Sequence, residues 1–559
     1  MGDSEKFQLS YSLLENLELD KMKNQFVATE EDKNIDYNPF NDVSLSNYNP
    51  TYSVFFNMDE TNYDKIGFNN KYQMINLETV KNMNTMENEK KDIFIKFSPL
   101  LDPIRYMIGK YDVNNNNIRT LPKYNNENVH EKIESVNNSS YVDNFFSFLS
   151  SKLLHHNSFS NGIDYFGSFL TVQDKYKMNV SDDFEYLGDS SFFSDHLNKL
   201  FSISRFDLFK QHMNYSRTNR NKLNISESNA DYDCDIIPLE EVAVLSDEIV
   251  ISDLEEIYTK DEKQSNTSDE DDDSEEDDED ANDSSEEDNE EDSDEDSEDD
   301  DDESEESIEE NIFAYINNFP VQMICLEKCD GTIDELFENG EINEENGSAA
   351  LLQIIMTLIT YQKAFHFTHN DLHTNNIVYK LTDEEFIYYK YNNNYYKVPT
   401  YGKIFKIIDF GRSIYKYKGK IFCSDSFKTG GDAATQYNCE PFYNKNKPRI
   451  EPNMSFDLCR LGCSIYDFII DEEEYEDMDE LQKTVYRWCT DDKNLNILYK
   501  KNGSERYPDF KLYKMIARTV HKHIPEKQLE FDFFSQYLIQ IIEENTHIID
   551  IDKVEKYSN

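Results

Sequence analysis

His369-Asn370-Asp371-Leu372-His373-Thr374-Asn375-Asn376 is followed further along the chain by Ile408-Asp409-Phe410-Gly411. Immediately before the first stretch, residues 347–367 (with AALLQIIMTLITYQKAF) are apolar enough for a buried helix. Residues 376–379 and 404–408 read as short apolar strands, and 385–397 (EFIYYKYNNNYYK) as a hairpin with an Asn-rich tip. Two polar stretches carrying acids and amides therefore stand at the ends of buried elements. The local reading makes them ordinary turn residues between strands.

Working outward, residues 92–97 (DIFIKF) form a strand stopped by Ser98-Pro99. Residues 141–154 place Val142, Phe145, Phe146, Phe148, Leu149 and Leu153 at helical spacing. Asn161-Gly162 marks a turn, and 163–170 (IDYFGSFL) and 321–326 (VQMICL) are strands. A buried helix is predicted over 456–470, and from Leu481 onward helix-like stretches alternate with short loops. Residues 1–90 are rich in Asn and Asp and weakly periodic, which predicts an irregular arm ending in one or two strands. Residues 171–310 read as an insertion, polar at first, helical near 192–211, then disordered. The mixture of strands and helices predicts an α+β chain.

Charge narrows the functional classes. The 559 residues carry a net charge of −59, and residues 261–310 alone hold 33 Asp and Glu against Lys263. The remaining excess is spread over the rest of the chain, so the folded part is acidic too. Such a surface repels nucleic acid and anionic lipid, which sets aside nucleic-acid and membrane partners. The acidic tract has two readings: a solvated spacer, or a decoy for basic proteins such as histones. Its serines, among them Ser274, Ser284, Ser285, Ser293 and Ser297, stand in a context similar to acidophilic-kinase sites. The eight cysteines form no CxxC pair, which suits free thiols in a reducing compartment. No signal-like or membrane-length apolar run is visible, so a soluble intracellular protein is expected.

The two opening stretches resemble the catalytic loop and the Asp-Phe-Gly motif of protein kinases, with His369, Asp371, Asn376, Asp409, Phe410 and Gly411 matching in order. Asp457-Leu458-Cys459-Arg460-Leu461-Gly462 resembles the start of the central helix of the large kinase lobe, whose Asp holds the catalytic-loop backbone. The resemblance implies a two-lobed fold, with a small β-rich lobe and a larger helical one, interrupted by a long acidic disordered insertion. The segments would be an arm (1–90), the first part of the small lobe (91–170), the insertion (171–310), the rest of both lobes (311–540) and a tail (541–559). It implies ATP and Mg²⁺ as cofactors and a protein acceptor. Asp371 would be the base and His373 would lie near the transferred phosphate. Asn376 and Asp409 would offer oxygens to Mg²⁺. Lys96 would grip the nucleotide phosphates, with Asp143 as the only acid on the following helix. Leu326-Glu327-Lys328-Cys329 looks like the hinge, with Glu327 and Cys329 along the adenine edge. The Asn-, Lys- and Tyr-rich composition and the hairpin look like kinases encoded by giant DNA viruses, which would put the protein in host cytoplasm or virion.

The chain departs from the family pattern at four places. No G-x-G-x-x-G is visible, Gly67 standing alone in 65–72. Asn370 replaces the arginine that would bind an activation-loop phosphate, and His373 stands where Ser/Thr kinases carry a lysine. Glu440-Pro441 or Glu451-Pro452 stands in for Ala-Pro-Glu. Three functions are therefore carried forward: a Ser/Thr protein kinase, a pseudokinase scaffold, and a small-molecule phosphotransferase of the choline or aminoglycoside type.

Overall fold

The fold is a mixed α+β arrangement of several small sheets and packed helices. It comes from a computed structural model that describes residues 7–125, 128–205, 311–470, 475–542 and 546–559. The acidic tract and Cys234 lie outside the described residues, as does everything expected of 206–310.

The strand Phe313–Glu327 organises the first half. It pairs antiparallel with Ile93–Pro99, Lys96 opposite Ile324, and with Tyr165–Asn179, Leu170 opposite Gln322. The short strand Phe201–Ile203 also joins it, Ile203 opposite Ala314. The described residues on either side of 206–310 thus lie on strands that pair with each other, which is compatible with an insertion. The insertion starts later than the sequence reading put it. Residues 171–179 continue the strand because their polar side chains find partners: Gln173 donates to Pro39 O and Lys177 pairs with Asp32 at 2.7 Å. Of the region 192–211, Ser191–His196 is helical and 201–203 is strand, while 206–211 is outside the described residues.

Residues 1–90 are more ordered than their weak periodicity suggested. They form short helices at Leu19–Gln25, Glu30–Ile35 and Pro50–Phe55, and five short strands among the described residues. Helices this short show no periodic stripe. They are fixed by a capping box at Thr29 and Asp32 and by aromatic packing. Phe68 lies edge-on to Tyr52 at 4.8 Å and stacks on Phe148 at 4.7 Å, anchoring the arm to the helix Ser139–His156.

The second half is built on the helix Glu344–Phe365, started by an Asn343 capping box and buried from Gly347 through Tyr361. Burial all round explains its continuous apolar sequence; each such Leu, Ile or Phe contributes about 1.5–3 kcal/mol. Ile377–Leu381 pairs with Lys403–Ile407, and the predicted hairpin forms from Phe386–Tyr391 and Asn394–Pro399. Asn392 and Asn393 turn its tip in the left-handed conformation that asparagine tolerates. Asn161 fastens these parts: it donates to Phe405 O at 2.9 Å and accepts from the Tyr389 hydroxyl at 2.7 Å. The helix Phe456–Ile469 then places Asp457 beside the His369 loop. Among the described residues, no helix is long and apolar enough to cross a membrane.

Candidate active site

The site begins with an ion chain anchored on a buried carboxylate. Lys96, midway along the strand Ile93–Pro99, has its Nζ 2.7 Å from Asp143 Oδ2 and 2.7 Å from Asp409 Oδ1. Asp143 stands in the first turns of the helix Ser139–His156, whose N-cap Asn138 accepts from Ser140 N–H. Its other oxygen accepts the Phe410 N–H at 3.0 Å. One short carboxylate therefore joins the strand lysine to the Asp-Phe-Gly backbone. Burial disfavours charge on Lys96, but Asp143 and Asp409 outweigh it and hold the ammonium above its ordinary range. Burial raises the Asp143 carboxyl, partly offset by Lys96. Burial acts the same way on Asp409, but there Lys96 wins and holds the carboxyl down at about 2.

The loop carrying Asp371 is held from beneath. Asp457 is fully buried and accepts the N–H groups of His369 and Asn370, both at 2.9 Å. Burial raises its carboxyl, with His369 and those N–H donors pulling the other way. His369 bonds through Nε2 to Ile408 O at 2.9 Å, joining the loop to the strand before Asp409. Phe410 is buried against Phe146, ring centres 4.6 Å apart, so the helix carrying Asp143 and the Asp409 turn share one apolar contact. Asn370 is in the left-handed region (φ 66°), where asparagine is cheaper than a bulky residue. Its amide donates to Arg412 O at 3.0 Å, and its carbonyl accepts from the Tyr437 hydroxyl at 2.9 Å. A neutral stitch replaces the arginine expected at this position.

At the front of the loop, the Asn376 amide nitrogen donates to Asp371 O at 2.9 Å and to His373 Nε2 at 3.1 Å. The nitrogen is thereby used up, leaving the Asn376 Oδ1 oxygen as the available donor to a cation. Burial lowers the His373 ring below its ordinary range, so it is a neutral acceptor that orients Asn376. The Asp371 carboxylate accepts the Tyr513 hydroxyl at 2.8 Å on one oxygen and lies 3.6 Å from Arg412 on the other. Arg460 Nε in turn donates to the Tyr513 oxygen at 2.9 Å.

The remaining residues singled out by sequence lie along the strand end at 327–329. One oxygen of the Glu327 side chain is engaged by Lys406 Nζ at 2.5 Å and by Asp164 N–H at 2.8 Å, and the Glu327 N–H donates to Asp164 O at 3.0 Å. Cys329 is half-buried just past the strand, and its N–H takes no partner among the described residues. Gly67 has a packing role: a Cβ there would come within 2.9 Å of the Leu14 side chain.

The structure thus brings Lys96, Asp143 and Asp409 into direct contact and joins Asp371, His373 and Asn376 by hydrogen bonds within one loop. Glu327 and Cys329 form a separate edge. Sequence reasoning missed Tyr513, Arg412 and Arg460, and no local pattern marks them. Among the described residues no group of three or more His, Cys, Asp or Glu side chains is arranged to hold a metal. Asp409 and Asn376 offer one carboxylate and one amide oxygen, donors that suit a hard divalent cation completed by phosphate and water. Compared with known proteins, the sequence matches no family model and no curated protein.

Proposed function

We propose that the chain is an ATP-dependent protein kinase with a two-lobed, kinase-like fold, moving the γ-phosphate to a Ser or Thr hydroxyl of a protein. The observation that carries this reading is Lys96 bridging Asp143 and Asp409 at 2.7 Å each. A part-buried cation held between two carboxylates, one of them half-exposed, is poised to exchange a carboxylate for nucleotide phosphates. Asp409 and Asn376 would hold Mg²⁺, which supplies neutralisation of the phosphate charge. The Cys329 N–H, just past Glu327, would meet the base. Asp371 accepts the proton as the acceptor O–H bond breaks, the new O–P bond forms and ADP departs. Lys96 and the loop held by Asp457 supply positioning, the main need of phosphoryl transfer.

The test uses radiolabelled ATP and a panel of acceptor proteins, comparing wild type with Asp371→Asn. Turnover should drop by about 10²–10⁴-fold with little change in nucleotide affinity. Equal activity of the two proteins sinks the assignment of Asp371. A second reading, a nucleotide-binding scaffold without transfer, is favoured by one observation: Tyr513 and Arg412 already engage both Asp371 oxygens. Nucleotide binding without transfer by wild type would select it.

A further inference from the structure

Asp425 belongs to the segment between Arg412 and Pro441, yet it sits against the start of the helix that carries Asp143. Its Oδ2 is 2.5 Å from Lys132 Nζ, and its Oδ1 accepts the Ser139 N–H at 3.1 Å. Its own N–H donates to Asn137 O at 2.8 Å. The side chain is buried, so these contacts are shielded from solvent. Ser139 opens an 18-residue helix, where unsatisfied N–H groups and the helix dipole both favour an anion. Asp143 lies one turn further along. Fixing Ser139 therefore fixes where Asp143 stands relative to Lys96 and the Phe410 N–H.

The charge pattern around this contact is informative. Elsewhere in the segment, Arg412 pairs with Asp432 at 2.6 Å, and Asn370 meets the segment only through neutral hydrogen bonds. Beside the exposed Lys428–Glu131 pair at 3.2 Å, Asp425 is the buried charged group that clamps the segment to the start of the Asp143 helix. We propose that Asp425 is a positioning residue: a carboxylate built into the sequence that joins segment 412–441 to the helix Ser139–His156, so that the Lys96–Asp143–Asp409 chain assembles without a phosphate added to the segment. This regulation rests on the kinase reading of the same site.

Two variants test it: Asp425→Asn and Asp425→Glu. Amide hydrogen exchange over 137–143 is read beside phosphoryl transfer by protein treated with a phosphatase. Asp425→Asn should speed exchange at Ser139–Asp143 and lower kcat/KM for ATP about ten- to a hundredfold, the size expected for a lost charge-assisted contact. Asp425→Glu should keep most activity. Phosphatase-treated wild type should retain full turnover. Loss of turnover after phosphatase, or unchanged exchange in Asp425→Asn, overturns the proposal. Should Asp425→Asn not fold, Lys132→Met probes the same contact from its partly exposed side and must show the same faster exchange. If wild type transfers no phosphate at all, the kinase reading fails, and with it a role for Asp425 in regulating transfer, even where the exchange result shows the contact itself.

Discussion

Replacing Asp143 by Ala removes three things at once. Lys96 loses its deepest partner, the Phe410 N–H loses its acceptor at 3.0 Å, and the Ser147 hydroxyl loses a contact at 3.4 Å. Breaking a buried ion pair from one side costs about 3–5 kcal/mol when the remaining charge is stranded. Lys96 is not stranded, because Asp409 stays at 2.7 Å and about a quarter of the lysine side chain reaches solvent. That reduces the ionic part to roughly 1–2 kcal/mol, and the orphaned amide adds about 1–2 kcal/mol. The expected loss is about 2–4 kcal/mol, read as a lower urea midpoint at unchanged slope. Asp143→Asn should lose about half of this, because its carbonyl can still accept from Phe410. The double-mutant cycle with Lys96→Met isolates the pair and should give a coupling of about 1–2 kcal/mol. Additive single changes, or an Asp143→Ala protein within about 0.5 kcal/mol of wild type, would refute the ion chain as a stabilising element.

Asp409→Ala should abolish the Mg²⁺-dependent thermal shift with ATP, and an equal shift in mutant and wild type removes Asp409 from the metal assignment. Asn161→Ala should cost about 2–4 kcal/mol, since it strands the Tyr389 hydroxyl and the Phe405 carbonyl in the core; a neutral urea midpoint contradicts this. Burial holds His130, His373 and His523 below the ordinary 6.5, so as pH falls the unfolded chain takes up these protons first. Their contribution to stability is whole above that value and is lost below it, so the melting temperature should fall from pH 7.5 to 5.5. A flat or rising profile would count against neutral burial.

How much of this was legible in the sequence depends on how far apart the partners lie. Asp371, Asn376 and Asp409 stand in two short stretches, and the helix holding Asp143 announces itself by Phe145, Phe146 and Leu149. Asp425 meets Ser139 across 286 residues and Tyr513 meets Asp371 across 142, and no local pattern encodes contacts of that span. The strand at 171–179 was hidden because its alternate residues, Gln173, Lys175 and Lys177, are polar and satisfied by the arm. The arm was hidden because its helices are too short to show a stripe. The His373 contact with Asn376 is likewise invisible in the sequence, because it depends on ring orientation.

The place where residues 206–310 depart and return has a practical consequence. Ser204 N–H donates to Phe313 O at 2.7 Å, so the two ends of the excursion are already stitched together by the sheet. Closing a loop across a gap that the fold itself holds shut costs little more for a long chain than for a short one, about 0.6 kcal/mol per doubling of length. The position is therefore a tolerant junction. Residues 206–310 should be replaceable by a fluorescent domain or affinity handle, with the sheet on either side indifferent to the exchange.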